Sequence, residues 1–461
     1  MPNERLAEVM RLAGLSNKAL ARRVQELATY RGRSVRCDHT SVSRWLAETS
    51  PRDATARLIA EVLSQAIGRT LTLSDIGLSA PEPVDRRLGL DYDSPAATRF
   101  GDLTSLWDAD LRDAQIIVDA APDPGAWSDS TLRWLLRDES GDTRHEPSPG
   151  AGQMVGVGDV ASVRATVDAF ASLDDSFGGG RARRALIQYL QTDLNAMLHG
   201  RFSDSVRPEL FRAAAEGTLL AAWMSYDAGV HGLAQRYFIQ ALKLADFADD
   251  QLLGGSILDA MSHQATYLGR GGDAVNLARA ARSGTRGIAT PGLIAHFHAM
   301  EARALAVSGD ASGAGKALNS AVRVYEKRQP GVEPDWISYF DDAELSAEFS
   351  HCFRDLGRDS DALTYSARAI SGTSPRSDFF VKMVGAASQI GTRGTRGMDL
   401  EAACAAAAEA ITSGAQLKSA RCVRYVADFR RELAPHGNPA AVRELDESLE
   451  GNPLWEAAGL Y

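Results

Sequence analysis

Residues 229–241 read Gly-Val-His-Gly-Leu-Ala-Gln-Arg-Tyr-Phe-Ile-Gln-Ala, and the same pattern returns further along the chain. Gly229, Gly269, Gly309, Gly357 and Gly397 stand 40, 40, 48 and 40 residues apart. After each of the first four comes a small residue at +5, a packing residue at +9 and alanine at +12. The sets are Ala234/Phe238/Ala241, Ala274/Ala278/Ala281, Ala314/Leu318/Ala321 and Ala362/Ser366/Ala369. A glycine can end one helix in the left-handed conformation, and small residues at helical spacing let the next helix approach its neighbours closely. Recurrence at a fixed period predicts stacked helical hairpins, an all-α solenoid over residues 159–461.

This register resembles tetratricopeptide (TPR) repeats, with a period near 40 instead of about 34 residues. The resemblance implies a concave ligand face built from the first helix of each hairpin. Six residues before the glycines stand Trp223, His263, Arg303 and His351; three before stand Tyr226, Thr266 and Arg354. An aromatic end followed by cationic and imidazole groups suits an extended signalling peptide or a small anionic ligand, with arginine gripping a carboxylate through two N–H groups. Helix packing, internal ion pairs or a closed groove would use the same residue types.

The N-terminal segment has a different design. Gly14-Leu15-Ser16-Asn17-Lys18-Ala19-Leu20-Ala21-Arg22-Arg23-Val24 offers Ser16 as a helix N-cap, with Ala19, Leu20, Val24 and Leu27 on one face. In His39-Thr40-Ser41-Val42-Ser43-Arg44-Trp45-Leu46, Val42, Trp45, Leu46 and Thr49 fall on one side of a helix and Thr40, Ser43, Arg44 and Ala47 on the other, with Ser41 at the margin. The order Gly-x-Ser-x-x-x-Leu-Ala, then Val-Ser-Arg-Trp and a proline six residues on, resembles the XRE (lambda-repressor-like) helix-turn-helix family. The resemblance implies a DNA-binding domain over residues 1–80. Thr40, Ser43 and Arg44 would lie near base edges and Asn17, Lys18 and Arg23 near phosphates, with Ser41, at the margin of that face, and His39, at the helix start, as further DNA-binding candidates. The long connection from about Tyr30 to Asp38, and Glu48 where the family often has glycine, depart from its usual pattern. Residues 1–70 carry 12 Lys+Arg against 7 Asp+Glu in a chain of net charge −10, so the basic charge is concentrated where duplex DNA would bind.

A chain of 461 residues predicts two or three domains. Proline- and glycine-rich stretches at residues 80–95 and 139–158 bracket a tryptophan-containing segment, so residues 81–158 are expected to be linkers and a small connecting subdomain. No apolar run approaches the length of a membrane span, and the N-terminus lacks a secretion-signal pattern, which predicts a cytoplasmic protein with no membrane partner. Cys37, Cys352, Cys404 and Cys422 lack the close pairing of a zinc site or disulfide framework. Phe177-Gly178-Gly179-Gly180-Arg181 lacks the Gly-Lys-Ser/Thr ending of a phosphate loop and reads as a turn between helices. No catalytic constellation is legible, so the expectation is a non-enzyme without cofactor or metal.

Taken together, the two halves resemble actinobacterial regulators that join an XRE-type helix-turn-helix to a TPR-like region, the NsdA-type regulators of sporulation and antibiotic production. The resemblance is carried by Cys37 to Leu46, Phe177 to Arg183, Gly232 to Phe238, Ala260 to Gln264 and Ala420 to Tyr425. It implies a transcriptional regulator acting on a double-stranded DNA operator. A homodimer is expected because one such motif reads only a short half-site. The competing expectation is an interaction adaptor whose N-terminal helices bind protein.

Overall fold

The computed structural model describes all residues except 1, 31–34, 48, 69–70, 72, 74, 79–83, 93–99, 138–151, 330, 392–398, 438 and 461. The described residues are helical apart from turns and one isolated β-bridge, Met154 to Arg201. The chain forms two compact units: Met1–Arg86 with Asp108–Val118, and Arg87–Trp107 with Asp119–Tyr461.

The first unit contains α1 (Glu4–Leu12), α2 (Asn17–Tyr30), α3 (His39–Ala47) and α4 (Asp53–Ile67). The last turn of α5 (Gly101–Leu111) and the short α6 (Gln115–Val118) also belong to it. Leu6, Leu20, Val24, Val42, Ile59 and Leu63 are fully buried in its core. Asn3 organises one end: its carboxamide oxygen caps α1 at the Leu6 N–H, its NH2 group donates to the Ile76 and Gly77 carbonyls, and its backbone N–H donates to the Leu46 carbonyl.

In the second unit, α7 (Pro124–Leu135) packs against the repeat helices. The indole of its buried Trp134 lies so near Gly254 and Gly284 that a Cβ at those positions would stand 2.6 and 2.1 Å from it. The segment expected to be a connecting subdomain is thus divided between the two units. The array then runs through α8 (Val157–Phe177), α9 (Gly179–Tyr189), a π-helical turn at Leu190–Leu194 and α10 (Asn195–Leu198). Hairpins follow: α11 (Arg207–Asp227) with α12 (His231–Phe247), α13 (Gln251–Tyr267) with α14 (Gly271–Gly284), and α15 (Pro291–Val307) with α16 (Ala311–Tyr325). Next come α17 (Asp342–Asp355) with α18 (Asp359–Ala369) and α19 (Pro375–Ile390) with α20 (Leu400–Ser413). The chain ends in α21 (Ala420–Leu433), α22 (Ala440–Ser448) and α23 (Pro453–Ala458).

The glycine register is the hairpin register. Gly229, Gly269, Gly309 and Gly357 have φ of 80, 72, 78 and 69°, and each follows the first helix of its hairpin. Past each glycine the next N–H turns back onto that helix: Val230 to the Ser225 carbonyl, Arg270 to Ala265, Asp310 to Leu305 and Arg358 to Phe353. This is the Schellman closure, which satisfies carbonyls that a helix end leaves open. Every +5, +9 and +12 residue of the four sets is buried. Gly397 lies outside the described residues.

The array closes on itself. The Phe177 carbonyl accepts from the Lys418 N–H at 2.7 Å, and the Gly180 N–H donates to the Lys418 carbonyl at 3.0 Å. The approach requires the glycines: a Cβ on Gly180 would stand 2.8 Å from the Lys418 oxygen, and one on Gly179 2.6 Å from the Met224 oxygen. The Gly179 N–H donates to Asp227 Oδ2 at 2.9 Å, and the Ser419 hydroxyl donates to Asp227 Oδ1 at 2.8 Å. Arg376 on α19 completes the seam with Asp174 on α8 at 2.7 Å.

Gly179→Ala is therefore expected to destabilise the protein by about 1 to 3 kcal/mol, because backbone must move to admit the methyl group. Gly315→Ala, on α16 with open space around its Cα, is expected to stabilise it by about 0.5 to 1 kcal/mol. Chemical denaturation of both variants checks the pair, and opposite signs are the expected outcome.

Candidate functional sites

In the first unit, α2 and α3 place the candidate DNA-contacting residues. Ser16 caps α2, its hydroxyl accepting from the Ala19 N–H at 3.3 Å. Lys18, Arg22 and Arg23 are exposed, and Arg22 makes a 3.6 Å ion pair with Glu26. Val42 is buried beneath α3, whereas Trp45 and Leu46 are only partly covered by the core. His39, Thr40, Ser43, Arg44 and Ala47 are exposed; Thr49, expected on the packed side, falls beyond the helix end and is exposed too.

The hydroxyls of α3 have duties inside the chain. Asp38 Oδ1 accepts from the Ser41 N–H at 2.8 Å, the Thr40 hydroxyl at 2.7 Å and the Ser41 hydroxyl at 2.9 Å. The Thr40 hydroxyl bond, then the Ser41 bonds, hold the Asp38 carboxyl well below the usual aspartate range. The Ser43 hydroxyl donates to the His39 carbonyl at 3.0 Å and accepts from the Asn17 carboxamide at 3.0 Å. Thr40 and Ser43, expected at base edges, thus spend their donors on the helix start, and Asn17, expected near phosphate, fixes α3 against α2. A short hydroxyl beside an unsatisfied helix N-terminus finds its partner within the chain. Asp38 is legible as an N-cap from its place before the helix, a signal separate from the helical periodicity. Cys37 is buried, and burial raises its thiol pKa, which disfavours the reactive thiolate.

In the second unit, three of the groove candidates meet one another. Trp223 and Tyr226 on α11 meet His263 on α13: the indole and imidazole centroids are 5.5 Å apart, and the Tyr226 hydroxyl is 3.2 Å from His263 Nδ1. Arg303 on α15 is buried against Glu348 on α17, with Nη1 to Oε2 at 2.6 Å. His351 Nδ1 is 3.5 Å from the Tyr425 hydroxyl on α21. Arg354 pairs with Asp359 at 3.1 Å and with Glu432 on α21. Thr266 is buried. α21 therefore lies across part of the face expected to be concave and open: it meets His351 and Arg354, while Arg303 and Thr266 are buried and Trp223, His263 and His351 keep part of their surface exposed. Ring closure, a contact between distant segments, decides this, and the local register of the repeats carries no sign of it.

Burial, reinforced by the nearby Arg303 and Arg421 charges, drives the His263 and His351 pKa values well below the ordinary histidine value, so both are neutral at pH 7. Arg421 on α21 had no place in the repeat register. Its guanidinium carbon stands 4.6 Å from the Tyr226 ring centre, 5.8 Å from Tyr267 and 4.4 Å from Phe380.

Residues 6–79 match the family model described as SP15 N-terminal domain. The match spans α1 to α4 and the turns that follow. No curated protein matches the chain.

Two outcomes follow from these networks. Removing the cap with Asp38→Ala is expected to lower the melting temperature of the first unit at neutral pH. A carboxyl with a depressed pKa contributes stability above the unfolded-state value near about 3.9, and that contribution is lost as pH falls through the depressed value. The difference between variant and wild type should therefore shrink as the pH is lowered below 4, which acid titration followed by circular dichroism measures. Glu348→Gln leaves Arg303 buried without its counter-charge and is expected to cost roughly 3 to 5 kcal/mol, read by denaturant unfolding.

Proposed function

We propose that this chain is a DNA-binding transcriptional regulator in which α2 and α3 act as a helix-turn-helix and α3 enters the major groove of an operator duplex. The observation that carries this reading is the outer face of α3, where His39, Arg44 and Ala47 are exposed, in a unit whose α2 also exposes the cationic Lys18, Arg22 and Arg23. A guanidinium at that place can fork onto a guanine edge, and the flanking cations can neutralise phosphates. With the Thr40, Ser41 and Ser43 donors committed within the chain, Arg44 is the main base reader, His39 an auxiliary one, and Asp38 and Asn17 position the helix. The array supplies the second copy needed to read two half-sites about 34 to 36 Å apart. The resemblance to the NsdA-type regulators directs the search for targets to genes of sporulation and antibiotic production.

Selection of bound duplexes from a random pool by the full-length protein, followed by fluorescence anisotropy, tests the reading. Arg44→Ala is expected to cost roughly 1 to 3 kcal/mol and relax the preference at one base pair, while Lys18→Ala weakens all sequences alike. Failure to enrich any sequence, with affinity unaltered in both variants, overturns the proposal and favours the protein-adaptor reading.

A further inference from the structure

The interior of the array contains a cation whose hydrogen bonds are unmade. Arg421 is nearly buried, with 12% of its side chain exposed, and its Nε is buried without a partner among the described residues. Its one neighbouring acid, Asp227, is 3.9 Å away, and both Asp227 oxygens already accept, from the Gly179 N–H and the Ser419 hydroxyl. Tyr226, Tyr267 and Phe380 cover the guanidinium. Stacking satisfies a guanidinium's faces but leaves its in-plane N–H donors open.

The groups around it are also under-used. Arg303 Nε and Thr266 Oγ1 are buried with no partner among the described residues. His263 and His351 are neutral and each has its Nδ1 turned to a tyrosine hydroxyl. Trp223, His263, Tyr267, His351, Arg421 and Tyr425 come from α11, α13, α17 and α21, and each keeps part of its surface open to solvent.

We propose that this interior is a binding site for a small organic monocarboxylate, anchored by the Arg421 guanidinium, with His263, His351 and Arg303 beside it. A carboxylate meets an arginine edge through two parallel N–H···O bonds, the geometry that stacked rings leave free. The acids already present, Asp227 on one side and Glu348 on the other, limit the acceptable charge and select a monoanion over a phosphate dianion. The aromatic rings around the guanidinium suit a ligand with a flat apolar part. The inference does not depend on DNA binding.

The test uses the full-length protein without DNA. Calorimetric titrations with acetate and benzoate are compared with benzamide, the neutral analogue of benzoate, and with inorganic phosphate. Saturable binding of the monocarboxylates is expected, strongest for benzoate, with at least about tenfold weaker binding for benzamide and phosphate and for the Arg421→Lys protein, which keeps the charge but loses the fork. Should Arg421→Lys fail to fold, the decision falls to the wild-type melting temperature, which benzoate raises and benzamide does not. Absence of saturable binding by either monocarboxylate, equal binding of benzamide, or unchanged affinity in a folded Arg421→Lys protein overturns the proposal. Tighter binding of phosphate than of either carboxylate overturns the monoanion assignment with it.

Discussion

The carboxylate of Asp227 holds the array closed. It stands at the end of α11, accepts from Gly179 in the turn between α8 and α9, and accepts from Ser419 at the start of α21, residues 48 and 192 positions away in sequence. One acid thus joins the first, second and last layers of the array. The strap from Phe177 through Lys418 to Gly180 lies beside it, and Gly178 and Gly180 permit that strap because a Cβ at either would stand 3.0 Å or less from the Lys418 backbone. Joining segments so far apart costs loop-closure entropy that rises only slowly with length, so a few well-made polar contacts together with apolar burial can sustain it.

This division between local and distant contacts explains what the sequence discloses. A left-handed helix end must be glycine or nearly so, and a close helix pair must carry small residues, so Gly229, Gly269, Gly309 and Gly357 and the alanines behind them announce the hairpins directly. The placing of Trp223, His263, Arg303 and His351 at one position of successive repeats follows from the same periodicity. What covers them does not. Arg421 reaches Tyr226 and Tyr267 from about 195 and 154 positions further along the chain, and no period in the repeats points to it. The glycine triplet is visible as a turn, but the reason for three glycines instead of one lies in the backbone pressed against them, that of Lys418 at Gly178 and Gly180 and that of Met224 at Gly179.

The N-terminal unit shows a subtler limit. The sidedness of α3 is legible, and Val42, Ser43, Arg44 and Ala47 lie where a 100° projection puts them. Exposure alone, however, does not say that a polar group is available. Thr40, Ser41 and Ser43 look like readers of a nucleic acid, yet Asp38 and the His39 carbonyl take their protons first. Such hydroxyls stiffen the helix start and fix the register of the longer side chains. Among the polar residues on the outer face of α3, this leaves the exposed Arg44 guanidinium as the long side chain whose donors the cap does not use.

Buried charges in the second unit point the same way. Arg303 with Glu348, and Arg376 with Asp174, have traded water for partners at 2.6 and 2.7 Å, and such pairs rarely stabilise more than well-packed apolar residues would. Their value lies in excluding alternatives: shifting α15 against α17, or α8 against α19, would strand a charge in a medium that cannot solvate it. Arg421 differs because its acid stands at 3.9 Å and is already engaged. A guanidinium so placed gives little to the stability of the ring beyond its aromatic contacts. Its desolvation is offset in full only by a group that brings both negative charge and two in-plane acceptors, and this separates a ligand anchor from the structural ion pairs beside it.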